Sequence, residues 1–464
     1  VTGIGALVAG TPAHRVRHID LLRAVAITAV VLGHWLVMVV EHDGHGRLTG
    51  YTALGVLTWA HPVTWLFQVM PVFFMVGGFA NAASLSSYQV RATGGAASVA
   101  WLLDRSARLV RPTTVLMVVL GGAALLARLL GADPALIGEA VWLASLPLWF
   151  LIAYLAMVVL TPLMYALHRR AAGLAVPLLL LVPVAAGDTL RLRYEDEAWA
   201  YGSFLFGWLA IHQIGFCWRD RRLPSGRLAA AGLLAGGVAA LWLLTYPGPY
   251  PVSMVSAPDQ TLQNSSPPSL ALIALATAQL GLILLVRAPV ERWLRRPRAW
   301  TVVVAVNSVI LTVFLWHMSA ATLSTLGLDA LGTLPAAPVD SPRWLLWKIP
   351  WVMILAVVLA GLVAITGPVE TRAATGRTAG GSGGVLVAAG AIGGYAAVIG
   401  GLLWQAVAGR DGHGPFAFPT GALLLYLAGA AALRGARRLA APGKGERGGH
   451  PDRGERPQAH EHSG

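Results

Sequence analysis

An all-α, polytopic integral membrane protein is the fold class that this sequence predicts, and three observations carry the prediction. Of 464 residues, 56% are hydrophobic and only 12% are charged, about half the charged share of an average soluble domain, and the mean hydropathy is +0.65. Long apolar runs recur along the chain, and roughly 20 residues at about 1.5 Å each cross a ~30 Å hydrocarbon core. The basic residues collect between those runs. With Lys+Arg 34 against Asp+Glu 21 the net charge is +13, but this distribution reads as a membrane-orientation signal and not as a nucleic-acid-binding face. The single Cys217 excludes an intrachain disulfide and a cysteine metal centre, and no metal site is expected.

Arg15, Arg17 and His18 precede the first apolar run, as in a signal peptide. The run is too long for one and carries Arg23 and His34, so it reads as a retained first helix. Twelve membrane helices are expected, near residues 19–41, 62–86, 109–130, 141–167, 173–190, 198–217, 228–246, 269–287, 300–325, 344–366, 384–408 and 417–437. Arginines fall in alternate connections: Arg91, Arg105, Arg108 and Arg111 before the third helix, Arg169 and Arg170 after the fourth, Arg219 to Arg227 after the sixth, Arg287 to Arg298 after the eighth, Arg372 and Arg377 after the tenth. The other connections, such as the Pro/Ser-rich 247–268, are acidic, mixed or neutral. This alternation places both termini in the cytoplasm and the protein in the cell membrane.

The expected organisation is a cytoplasmic segment 1–18, a ten-helix domain 19–370, a Thr/Gly/Ser-rich linker 371–383, two further helices 384–437, and a disordered tail 438–464 whose His450, His460 and His462 read as solvated. Ionisable groups inside membrane helices are costly, so they direct the search for chemistry. Arg23 and His34 are 11 residues apart, which at about 100° each puts them on one face about 16 Å apart along the axis. Asp20 stands three residues before Arg23 and is expected to pair with it. His317, in Phe314-Leu315-Trp316-His317-Met318, is expected at the depth of His34 in the outer half of the bilayer. Asn307 either lines the same cavity or bonds between helices. Arg105, Arg108 and Arg111 recur every third residue, a spacing suited to binding phosphates on one helical flank.

The ordered set of motifs resembles the acyltransferase 3 family of membrane-bound O-acyltransferases over roughly residues 15–372. The elements are Arg23-x10-His34 behind Asp20; Phe73-Phe74-Met75-Val76-Gly77-Gly78-Phe79; Arg105-x-x-Arg108, with Arg108-x-x-Arg111 at the same spacing; Leu148-Trp149-Phe150-Leu151; and Phe314-Leu315-Trp316-His317. Gly77 stands where the family usually has serine. Thr371 and Arg372 follow Glu370 where a Glu-Lys-Pro ending is common. The last two helices lie outside the common ten-helix core, and no appended extracytoplasmic hydrolase-like domain is expected.

The resemblance implies transfer of an acyl group, often acetyl from acetyl-coenzyme A, to a hydroxyl of a carbohydrate, glycolipid or other small molecule. The acyl-coenzyme A is a co-substrate, and no permanently bound cofactor is expected. On this reading Arg105, Arg108 and Arg111 hold the donor's phosphates. His34 is the general base, or else forms an acyl-imidazole. Arg23, oriented by Asp20, positions the donor, while His317, Trp316 and Asn307 shape the acceptor side. A proton-coupled transporter or flippase is the main alternative, and a noncatalytic membrane scaffold the third.

Overall fold

A computed structural model describes residues 4–12, 15–90, 95–258, 260, 262–335, 337–373, 384–410, 414 and 416–440. The apolar runs are helices throughout. Their order is α1 (Ile4–Ala9), α2 (Arg17–Val37), a hairpin of β1 (Met38–His42) and β2 (Leu48–Thr52), α3 (Thr64–Phe67), α4 (Met70–Gln89), α5 (Gly95–Leu129), α6 (Pro134–Ser145), α7 (Leu148–Arg170), α8 (Ala175–Tyr194), α9 (Ser203–Arg219), α10 (Arg227–Thr245), α11 (Leu270–Trp293), α12 (Pro297–Ser308), α13 (Ile310–Ala330), α14 (Pro342–Ala373), α15 (Val385–Val407) and α16 (Thr420–Leu439). Ten spans are long and apolar enough to cross a membrane among the described residues: α2, α3 with α4, α5, α7, α8, α10, α11, α13, α14 and α15. The other two expected spans are also helical. α9 is shorter, at 17 residues, and α16 carries Arg434, Arg437 and Arg438 near its end. The architecture is that of an all-α polytopic membrane protein, with Leu178, Val182, Val357 and Ile365 exposed on its perimeter, as a surface solvated by lipid tails permits. The expected tail residues 441–464 with their three histidines, most of the linker 371–383, Arg91 and Arg377 lie outside the described residues.

Four expected spans differ in detail, the second being broken between α3 and α4 at Gln68 and Val69. The first helix ends at Val37, and the β-branched Val39 and Val40 continue as strand β1, paired antiparallel from Met38↔Thr52 to His42↔Leu48. The backbone N–H groups of Arg47 and His45 close its turn on the Asp43 carboxylate at 2.8 and 2.9 Å and hold that carboxyl below its ordinary range. The fourth span is broken before Leu148, because Pro147 brings no N–H to continue α6. The ninth is broken at Val309, where Asn307 Nδ2 and Ser308 Oγ donate to the carbonyls of Val303 and Ala305 and compete with the helix's own bonds. The helix restarts because Glu370 of α14 accepts the N–H groups of Leu311 and Thr312 at 3.1 and 2.8 Å, two of the donors a helix N-terminus leaves unpaired.

α15 and α16 pack on one another and on α5 and α7. Tyr395 donates to the carbonyl of Leu102 at 2.8 Å, and Tyr426 to that of Val110 at 3.0 Å. The 35-residue α5 is about 52 Å long at 1.5 Å per residue, so it projects well beyond a ~30 Å hydrocarbon layer.

Candidate active site

Glycines set the site's geometry before any polar residue enters it. α4 and α9 cross at Gly78 and Gly215: a Cβ on Gly78 would sit 2.0 Å from the carbonyl oxygen of His212, and one on Gly215 would sit 2.1 Å from that of Met75. Only hydrogen at both positions lets the backbones approach this closely. That contact brings Asn81, one turn along α4, to His212 of α9, with 3.1 Å between Asn81 Nδ2 and His212 Nε2. The other end of the amide accepts from the Arg105 guanidinium, which also reaches the Tyr154 hydroxyl at 3.4 Å. Asn81 Nδ2 therefore donates to His212, and its Oδ1 points Arg105 into the bundle. Gly77 leaves the room for Tyr154, whose ring would lie 2.8 Å from a Cβ there. Arg23 reaches the same cluster from α2, with Tyr154, Asp20 and Arg105 as electrostatic neighbours. Among the described residues no carboxylate lies within 4.0 Å of Arg23. Two guanidiniums thus lie near one another, and the groups that Arg105 bonds are neutral.

Toward the hairpin end of the same α2 face, His34 meets His317 of α13. His317 Nδ1 is 2.6 Å from the carbonyl oxygen of Phe314. A carbonyl only accepts, so this nitrogen carries the proton and the neutral ring presents a bare Nε2. That Nε2 lies 3.0 Å from His34 Nδ1, which must donate to it. Neutral His34 is left with a lone pair on Nε2, and among the described residues no hydrogen bond occupies it. The rings stack with centroids 5.1 Å apart and planes inclined by 19°; His317 is fully buried and His34 half-buried. Indole donors hold the pair in place. Trp35 Nε1 bonds the carbonyl of His317 and Trp351 Nε1 that of Trp35, both at 3.0 Å, tying α2 to α13 and α14.

The sequence-predicted residues therefore divide. His34, His317, Arg23 and Arg105 face the interior of one bundle. Asp20 does not pair with Arg23: it takes a bidentate contact from Arg15 at 2.7 and 3.1 Å, because Arg15 lies just outside the helix and its guanidinium wraps back onto the first turn. Asn307 does not join the histidines. It bonds the backbone carbonyl of Asp20 at 2.8 Å, fastening α12 to the arginine-rich end of α2. Arg105, Arg108 and Arg111 do not share one flank: successive steps of about 300° fan them around α5, leaving Arg108 and Arg111 exposed. Trp316 is buried in the apolar core beside His317.

Asn81, Tyr154 and His212 had no sequence signal that named them. Nor did the connection between α10 and α11, expected as a plain loop. Its Val252 and Met254 carbonyls accept from Trp65 and Gln68 at 2.7 Å each, and Asn264 bonds Pro251 and Ser253 within it. Tyr250 donates to Asp188 at 2.8 Å, and burial beside that carboxylate holds the phenol above its ordinary range, so it stays a donor. The connection is thereby fixed against the α3–α4 break, where Phe67 abuts Gly33, the neighbour of His34. A cavity of about 1090 Å³ lies elsewhere, on the apolar side of α2 that carries Leu21, Thr28 and Leu32, against α12. That side is about half a turn from Arg23 and His34.

A helical bundle that spans a membrane and encloses a histidine pair and, further along the same helix face, two guanidiniums has the build of a membrane-embedded group-transfer enzyme. The chain belongs to the acyltransferase 3 family, whose model, described as an acyltransferase domain, matches residues 16–369. It is a membrane acyltransferase. No curated protein and no solved structure matches it. The family match takes in α2 to all but the end of α14, and leaves α15 and α16 outside.

Proposed function

We propose that this acyltransferase moves an acyl group, acetyl in the simplest case, from a coenzyme A thioester to a hydroxyl of a carbohydrate, glycolipid or related small molecule, with His34 as general base. The observation that carries the reading is the tautomer chain from the Phe314 carbonyl through His317 to His34. It leaves an unprotonated Nε2 on a half-buried residue, the state a general base needs near neutral pH. The acceptor O–H gives its proton to this nitrogen while its oxygen attacks the thioester carbon; the C–S bond breaks, and the proton passes to the departing thiolate. His317 orients the base rather than touching substrate. Arg23 and Arg105, two cations with no carboxylate partner among the described residues, suit the phosphates of the donor, with Asn81 and His212 aiming Arg105. The arginine-rich end then faces the cytoplasm, in keeping with the distribution of basic residues.

The test is transfer from radiolabelled acetyl-coenzyme A by the purified protein in lipid, with wild type and His34→Ala side by side. Wild type is expected to release label from the donor, and the folded variant to lose at least ~10²-fold in rate. Equal rates would remove His34 from its role. A wild-type protein that neither binds nor turns over the donor would end the coenzyme A reading.

A further inference from the structure

We propose that α16 builds part of the donor site: Arg434, from outside the family-matched region, joins Arg111 of α5 in a site for phosphoanions at the arginine-rich end. This rests on the reading of the protein as a coenzyme A-dependent enzyme, and names the part of the donor that the site takes: the nucleotide's phosphates.

The register of α16 on α5 fixes the geometry. The helices lie antiparallel, with Leu423 against Gly121, Tyr426 donating to the Val110 carbonyl at 3.0 Å, and Arg437 paired with Asp104 at 3.2 Å. This packing carries Arg434, one turn before Arg437 and on the same side, into the field of Arg111, whose electrostatic neighbours are Arg437 and Arg434. Both Arg111 and Arg434 are exposed, and among the described residues neither has an ion-pair partner within 4.0 Å. The nearby carboxylate is already committed: Asp104 Oδ1 faces Arg437 and Oδ2 accepts from the Tyr88 hydroxyl at 2.5 Å. Six residues toward the start of α5, Arg105 keeps a buried Nε with no hydrogen-bond partner among the described residues. Packing has therefore gathered like charges from two helices, which repel until an anion bridges them. Guanidinium forks match phosphate oxygens in pairs. A coenzyme A nucleotide offers three phosphates, enough to touch both helices at once. An anionic phospholipid headgroup offers the same chemistry and is the rival source.

The experiment uses the full chain in detergent, as wild type, Arg434→Gln and Arg111→Gln. Binding of coenzyme A and of acetyl-pantetheine, which lacks the nucleotide, is measured by calorimetry. Retention of phosphatidylglycerol is followed by native mass spectrometry, and thermal unfolding checks that each variant is intact. Each substitution is expected to weaken coenzyme A binding about tenfold, the loss of one charge-assisted hydrogen-bonding group, and to leave acetyl-pantetheine binding unchanged. If wild type binds coenzyme A and both variants bind it equally well, the α16 site is overturned while the donor reading stands. If wild type ignores coenzyme A but holds phosphatidylglycerol that the variants lose, the donor reading fails and the occupant is a lipid headgroup. Loss of neither ligand's binding in the variants, with no coenzyme A binding in wild type, overturns both.

Discussion

Neutral imidazole donates through one nitrogen and accepts through the other, so the direction of a histidine pair is decided by whatever holds its far end. Here that is a main-chain carbonyl, Phe314 O, a group that cannot change its protonation. The polarity of the pair is built into α13. His317→Gln, which keeps an acceptor for His34 but loses the fixed ring, is expected to lower kcat on the order of 10–100-fold with the donor KM unchanged, and to displace the acid limb of the pH–rate profile. Steady-state kinetics across pH check this; a change in KM alone would mean that His317 binds donor instead. Much at this scale was readable beforehand. Helical periodicity put Arg23 and His34 on one face, and counting from the helix starts put His34 and His317 at one depth. The partner of Asp20 was not readable, since the rule that pairs residues three apart says nothing of a long arginine side chain approaching from outside the helix. Asn81 and Tyr154 were equally silent, because an amide or a phenol in an apolar run gains meaning only from the helix it meets.

At the level of elements, the α4–α9 crossing converts two glycines into the position of a polar cluster. Gly78→Val is expected to force the helices apart and cost at least about 1–3 kcal/mol, with loss of the Asn81–His212 contact and of activity. Gly122→Ala, whose added Cβ meets nothing within 4 Å, should stay within about 0.5 kcal/mol of wild type. Thermal unfolding in detergent separates the two. Equal stability would mean the crossing tolerates repacking. The Phe-Phe-x-x-x-Gly-Phe run was visible as a motif, but its function as a spacer was not, because the partner Gly215 lies on a helix with no comparable signature. The break at Val309 was likewise hidden: an apolar run of 26 residues reads as one span, and the carboxylate that restarts the helix comes from Glu370, 59 residues beyond Leu311.

For the molecule as a whole, the order of the apolar helices followed from hydropathy, since the requirement that backbone groups bond internally leaves a bilayer-crossing apolar chain little alternative, while of the twelve expected spans ten are long and apolar enough to cross a membrane among the described residues. The docking of α15 and α16 onto α5 did not, because the tyrosine hydroxyls that fasten them bond main-chain carbonyls, which look alike in every sequence. One consequence follows from the length of α2 that separates Arg23 from His34, about 16 Å by rise. With the donor at one end and the acceptor at the other, the acyl carbon leaves its bonding pair on sulfur as it moves one way, and the hydroxyl proton returns on that thiolate: a neutral thioester and hydroxyl become a neutral thiol and ester, so acyl group and proton exchange with no net charge moved. A full charge carried across would be worth ~2.3 kcal/mol per 100 mV, and this exchange draws none of it. In proteoliposomes clamped with valinomycin and potassium, turnover is expected to be indifferent to voltage. A rate that changed with voltage would mean that a charged group, such as the coenzyme A phosphates, moves through the field, and the enzyme would then be a generator or consumer of membrane potential.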